Sequence, residues 1–232
     1  MLVVAEKRIT FAGQTPAPIG QVSGPSNPVK SDAHTIFLLS PANILGARAK
    51  MLFKPDAKFN LALRLRNSGA SLGEVFSFIS GLYFRGKLAY AERFGNPPSG
   101  VGGIHIITAA AGLLSPKEIV TLSRLKSISA AQVDHEDQRY REPLDRDAIR
   151  LRESVNENTS VVLLGSIATP KYVVPLLEVF GERLLFPTDF VGRGVMSRGG
   201  LLLRRCSVGS SLEYGPVLET PRRGKRPPRL EG

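Results

Sequence analysis

Two short runs in this chain are apolar at every position: Ile36-Phe37-Leu38-Leu39 and Val161-Val162-Leu163-Leu164. A strand with one face in water alternates apolar and polar residues, so an unbroken run reads as a strand covered on both faces. Gly103 to Thr108 and Leu184 to Phe186 fit the same reading. The expected strands therefore fall near 35–40, 104–108, 161–165 and 184–187, with helical stretches between them. Strands alternating with helices define a mostly parallel sheet. The fold class expected is α/β: a single three-layer domain, with a mostly parallel central sheet of 4–6 strands and helices on both faces. A chain of 232 residues with 42% hydrophobic content is long enough for one such core.

The helical stretches are read as follows. A helix starts near Gly46, and Ala57 to Asn67 is helical. Leu72 to Phe94 is a longer helical region with breaks expected at Gly81 or Gly86. Ile119 to Leu125 is a short helix, and Ser127 to Val133 reads as a further strand. The charged segment Asp134 to Pro143 is read as a solvated, internally paired loop, followed by a helix over Leu144 to Val155. Its Asp134, His135 and Asp137 are hard or borderline metal ligands, which makes a metal site conceivable, but adjacent ligands on a loop of mixed charge are weak evidence for one. His105, inside an apolar strand and without ligand spacing around it, reads as a satisfied core or edge histidine. Thr169-Pro170 opens the helix Lys171 to Phe180, and Gly181 closes it. Leu212 to Val217 adds an edge strand.

Outside 34–217, composition changes. Residues 1–33 are rich in Gly, Pro, Ser and Asn and are expected as a disordered leader. Residues 218–232 carry Arg222, Arg223, Lys225, Arg226 and Arg229 against Glu219 and Glu231 and are expected as a basic disordered tail. The net charge of +11 attracts polyanions and phosphorylated ligands alike, and equally fits a solvated Arg-rich surface. One cysteine, Cys206, excludes an internal disulfide and suits a reducing cytoplasmic setting. No apolar run is long enough to span a bilayer, so no membrane partner is expected. No motif names a cofactor.

The chemistry concentrates in Gly181 to Arg205. A buried strand leads into a polar, Gly-rich loop with Asp189, Arg193, Ser197 and Arg198, and a helix is expected from Leu201. That arrangement offers backbone N–H groups to an anion, although it matches neither the P-loop nor the dinucleotide fingerprint. Ser197 is read as a helix cap that shares first-turn amides with a ligand, and Gly199 and Gly200 as leaving that turn bare. In open α/β sheets ligands bind outside the carboxyl ends of the strands. Those ends supply Ser40, Asn43, Thr108, Gly112, Ser166 and Thr169 beside Arg193, Ser197 and Arg198 as ligand-binding candidates. Asn43 reads equally as a turn or helix-cap residue. Asp189 is the best candidate for a catalytic role, as a general base, a partner for a sugar hydroxyl or an orienter of an arginine. Its other reading is an ion pair with Arg193 or Arg198.

The strings Phe37-Leu38-Leu39-Ser40-Pro41-Ala42-Asn43, Ser80 to Leu88 and Phe186 to Arg204 resemble an uncharacterised bacterial α/β protein family across roughly 34–217. The layout is also similar to α/β proteins of nucleobase and DNA-repair chemistry, such as the uracil-DNA glycosylase-like fold, without a glycosylase water-activating motif. In the family the position of Val195 is often acidic, and the valine departs from that pattern. Two functions follow as expectations. The first is a small anionic ligand, of phosphate or nucleotide type, bound at the C-terminal edge of the sheet, with cleavage or transfer at a glycosidic or phosphoester bond. The second is a nonenzymatic module that binds nucleic acid or protein through its basic surface.

Overall fold

A computed structural model describes residues 33–225 and 227. The chain runs through β1 (His34–Leu39), α1 (Ala47–Phe53), α2 (Asn60–Asn67), β2 (Ala70–Ser71), α3 (Leu72–Ser80) and α4 (Leu82–Phe94). It continues through β3 (Ile104–Ile107), β4 (Leu113–Leu114), β5 (Ile119–Val120), α5 (Leu122–Ile128), α6 (Gln138–Glu153) and β6 (Thr159–Leu164). It closes with α7 (Pro170–Phe180), β7 (Leu184–Pro187), α8 (Val195–Val208) and β8 (Tyr214–Pro216). Six strands form one sheet in the order β4-β3-β1-β6-β7-β8. The four inner strands are parallel, and β4 and β8 are antiparallel edges. The expected α/β class is what the structure shows.

Strand β1 explains why the fold works. Ile36, Phe37, Leu38 and Leu39 are each fully buried, and because successive side chains point to opposite faces, both faces of β1 are covered. Phe37 meets Tyr90 of α4 edge-on, with ring centroids 5.7 Å apart. Tyr90 also ties the far edge in. Its hydroxyl accepts from the Leu212 amide at 2.7 Å and shares a hydrogen bond with the Tyr214 hydroxyl.

From β1 the chain moves outward to β3, then returns across β1 to β6 and on to β7. The direction of winding therefore reverses between β1 and β6, and at such a point the connections leave a crevice beyond the strand ends. The two strands stay bonded as far as Ser40, whose amide donates to the Leu164 carbonyl at 3.1 Å. After that, Pro41 and Ser166 lead in different directions.

Helices α4 and α8 pack with their backbones nearly touching. A Cβ at Gly86 would lie 2.8 Å from the Gly199 carbonyl oxygen, and one at Gly199 would lie 2.9 Å from the Tyr83 Cα. This corrects the expected loop over 188–200. Thr188–Phe190 is a 3-10 turn, and α8 starts at Val195 rather than Leu201. Gly199 and Gly200 lie inside the helix. Gly199 serves the approach of α4, and contact along the whole helix outweighs a propensity penalty of about 1 kcal/mol per glycine.

Three more expectations change. Ser127 to Val133 is the end of α5 and an irregular segment, because Ile128 is buried as part of a helical turn rather than a strand. The helix expected from Ile119 starts at Leu122, capped by the Thr121 hydroxyl, while Ile119 and Val120 pair with β2. Helix α6 starts at Gln138, inside the segment read as a loop, and runs through Pro143. Asp137 caps it by accepting from the Arg139 amide at 2.9 Å. Burial of Tyr140, Leu144, Ala148 and Leu151 outweighs the hydrogen bond that Pro143 removes. His135 lies 3.2 Å from Asp134, and Asp137 pairs with Arg139, so this segment is internally paired as expected. Gly81 does break the long helix, at φ 59°, and Gly181 ends α7 at φ 55°.

The leader read over 1–33 lies outside the described residues apart from Ala33. Of the tail read over 218–232, residues 218–225 are described, and they fold back on the body. Thr220 is buried and donates to the Pro216 carbonyl at 2.8 Å, and a Cβ at Gly192 would collide with the Lys225 carbonyl.

The glycine pair in α8 gives a paired expectation. Gly199→Ala should cost about 1–3 kcal/mol, the usual penalty for forcing bulk into a packed interface. Gly200→Ala, whose Cβ would meet nothing within 4 Å, should stabilise by about 0.5–1 kcal/mol. Urea unfolding of both variants measures this. Equal effects would mean that the helix contact is not what Gly199 provides.

Candidate functional site

The crevice beyond β1 and β6 holds two adjoining cavities. The first, about 340 Å³, is lined by Ser40, Tyr83, Gly165, Ser166, Arg193, Gly194, Val195 and Arg198 together with Lys171 and Tyr172. The second, about 620 Å³, runs from Pro41 to Leu45, past Phe76 and Ala109, to the segment from Ile128 to Val133 after α5. Lys171 and Tyr172 line both, so the two cavities share a wall.

The first cavity is positive by construction. Helix α8 starts at its rim with Gly194 as N-cap, and α7 starts there with Pro170 in its first turn; neither has a side-chain cap. Free first-turn amides and the helix dipole favour negative charge at both places. Lys171, Arg193 and Arg198 add three cationic side chains, and no lining residue is acidic. The second cavity is mostly apolar, with Asn43, Ser129 and Gln132 as its polar side chains besides the shared Lys171 and Tyr172.

The two arginines are held by different groups. Arg198 is built into the fold: it donates to the Gly165 and Phe190 carbonyls at 2.9 Å each and lies over the Phe190 ring. It fixes the end of β6 against the turn before α8, and its charge reaches the cavity from that fixed position. Arg193 donates through Nε to the Asp189 carbonyl at 2.9 Å.

Beneath the cavity lies a residue that sequence reading passed over. Lys87 of α4 is 1% exposed. Its Nζ is 2.5 Å from the Ser40 carbonyl oxygen and 2.9 Å from Ser40 Oγ, and it lies over the rings of Tyr83 and Phe84. Burial pulls its pKa down to about 7, because desolvation disfavours the ammonium. Burial also raises the Tyr83 phenol, against the opposing pull of Arg198. The signal for Lys87 was available: it sits on the apolar stripe formed by Phe84, Tyr90 and Ala91, where a charge has no solvent to face.

Of the residues expected from sequence, Ser40, Ser166, Arg193 and Arg198 line the first cavity and Asn43 lines the second. Asn43 is also a turn residue, its Oδ1 accepting from the Leu45 amide at 3.0 Å. Ser166 Oγ accepts from the Ala168 amide at 3.3 Å. Five others line neither cavity. Thr108 is buried and bonds the Gly112 carbonyl, and Gly112 faces Pro143 and Asp147 of α6. Thr169 is the N-cap of α7 without a side-chain bond. Ser197 is in the first turn of α8, not its cap, which corrects the capping role read for it. The Asp189 carboxylate is 3.5 Å from Arg205, a partner on α8 other than the two arginines considered from sequence.

Among the described residues no group of three or more His, Cys, Asp or Glu side chains could hold a metal ion, and no helix is long and apolar enough to cross a membrane. No family model, curated protein or solved structure matches the chain.

Lys87 makes stability depend on pH in a definite direction. Between its folded value of about 7 and the ordinary lysine value of 10.5, the unfolded chain holds a proton that the folded chain lacks. Stability contributed through this group therefore rises as pH goes from 7 towards 10. Lys87→Met should remove that rise. Denaturant unfolding at pH 6 and pH 9 should show the wild type gaining on the variant at the higher pH. A constant difference across that range would mean that Lys87 is charged in the folded protein throughout.

Proposed function

We propose that this protein binds a nucleotide-type anionic ligand in the crevice beyond β1 and β6. The observation that carries the reading is the joining of two unlike cavities across Lys171 and Tyr172. One is cationic, ringed by two helix starts and free of carboxylates, and it suits a phosphate. The other is larger and mainly apolar, with a few amide and hydroxyl groups, and it suits a nucleobase or nucleoside. The crevice lies where the winding of the sheet reverses, the usual place for ligands in open α/β folds.

Calorimetric titration with inorganic phosphate, adenosine and AMP tests the reading. AMP should bind more tightly than either of its parts, since it alone fills both cavities. Arg193→Ala and Lys171→Ala should each weaken AMP binding by about 10-fold, the lower end of what a charge-assisted hydrogen bond contributes. Arg198 is unsuited to this test, because its loss would strip two backbone carbonyls of their donor. Absence of binding by all three compounds, or a double variant that binds AMP as the wild type does, would refute the proposal.

A further inference from the structure

We propose that Ser40 and Lys87 form a nucleophile–base pair, and that this pair makes the crevice a phosphoryl-transfer site acting on phosphomonoesters of the nucleotide class. The substrate class rests on the reading of the cationic cavity given above; the pair itself rests on separate observations.

The first observation is position. Ser40 follows directly on β1 and lines the cationic cavity, while Lys87 lies beneath it, closed off from water. The 2.9 Å between Nζ and Oγ is hydrogen-bonding distance, and Nζ also donates to the Ser40 carbonyl. A neutral amine held this way donates to the carbonyl and turns its lone pair to the hydroxyl proton. That is the arrangement in which a lysine activates a serine.

The second observation is what surrounds the amine. Tyr83 and Phe84 of α4 offer ring faces to it, and the cavity that Ser40 lines adds Lys171 and Tyr172 from α7, Arg193 from the segment leading into α8 and Arg198 from α8 itself. None of these is a carboxylate. Burying an ammonium without an opposite charge is costly, and an apolar side chain of similar volume would fill the space at less cost. A lysine held in that setting is better suited to accepting a proton than to holding two elements together.

Ser40 Oγ attacks phosphorus while its proton passes to Lys87 Nζ. The Oγ–P bond forms, the bond from phosphorus to the ester oxygen breaks, and the leaving alcohol takes the proton from the Lys87 ammonium. Water then attacks phosphorus and gives its proton to Lys87. Ser40 Oγ departs and recovers that proton, releasing inorganic phosphate. The first-turn amides of α7 and α8 and the guanidinium of Arg193 are placed to stabilise charge on the phosphoryl oxygens.

Diisopropyl fluorophosphate, a neutral phosphorylating agent, tests the pair independently of anion recognition. Mass spectrometry of the full chain and its peptides should place the adduct on Ser40, with none in Ser40→Ala. The labelling rate should rise with pH about a midpoint near 7, as Lys87 loses its proton. Lys87→Met should label about 100-fold more slowly or worse, the usual contribution of a positioned general base. No adduct at Ser40, a rate indifferent to pH between 6 and 9, or equal labelling of Lys87→Met would overturn the pair. If Lys87→Met does not fold, the wild-type pH profile and Ser40→Ala still decide.

Calorimetry of phosphate with Ser40→Ala supplies the second arm. Retained binding together with wild-type labelling supports the whole proposal. Labelling without phosphate binding keeps the pair and overturns the substrate class. Binding without labelling leaves an anion site and overturns the pair.

Discussion

The approach of α4 to α8 is the constraint on which the rest of this molecule depends. Two glycines, Gly86 and Gly199, let the helix backbones meet where any side chain would hold them apart. One turn of α4 on from Tyr83 comes Lys87, reaching under Ser40; on α8, next to Gly199, comes Arg198, pinning the end of β6. A wedge between the helices would move the base, the arginine and the floor of the cavity together. The helix contact is therefore also what sets the geometry of the site, since packed interiors give little room for independent adjustment.

Charge in the crevice is arranged in two layers. The outer layer, Lys171, Arg193 and the starts of α7 and α8, borders the open cavity. The inner layer, Arg198, is committed to backbone carbonyls and a buried ring face. A fixed inner group does not reorganise when a ligand arrives, so its field is present beforehand, and preorganisation of this kind is where electrostatic stabilisation is most effective.

Much of the fold was legible because its signals are local. Ile36 to Leu39 and Val161 to Leu164 read as strands buried on both faces, and Gly81 and Gly181 punctuate helices where a positive φ is needed. What was not legible depends on partners far away in the chain. Gly199 and Gly200 read as a loop until α4 is seen against them. Thr108 and Gly112 sit at a strand end, as sequence suggested, but Thr108 spends its bonds on its own turn and Gly112 packs against α6. Lys87 drew no reading of its own from the sequence, because a charged residue in a helix usually means solvent. Only the position of Ser40, 47 residues earlier in the chain, shows what it faces.

The return of residues 218–225 over the body has a practical consequence. Lys225 lies beside Gly192, next to the arginine at the mouth of the cationic cavity. An affinity tag or fluorophore fused shortly after that point would be tethered at the entrance, where a polyhistidine stretch could compete for the very anions under study. The other edge of the sheet, where β1 starts at His34, is about 20 Å away along the strand, at roughly 3.3 Å for each residue. A reporter attached there leaves the entrance clear.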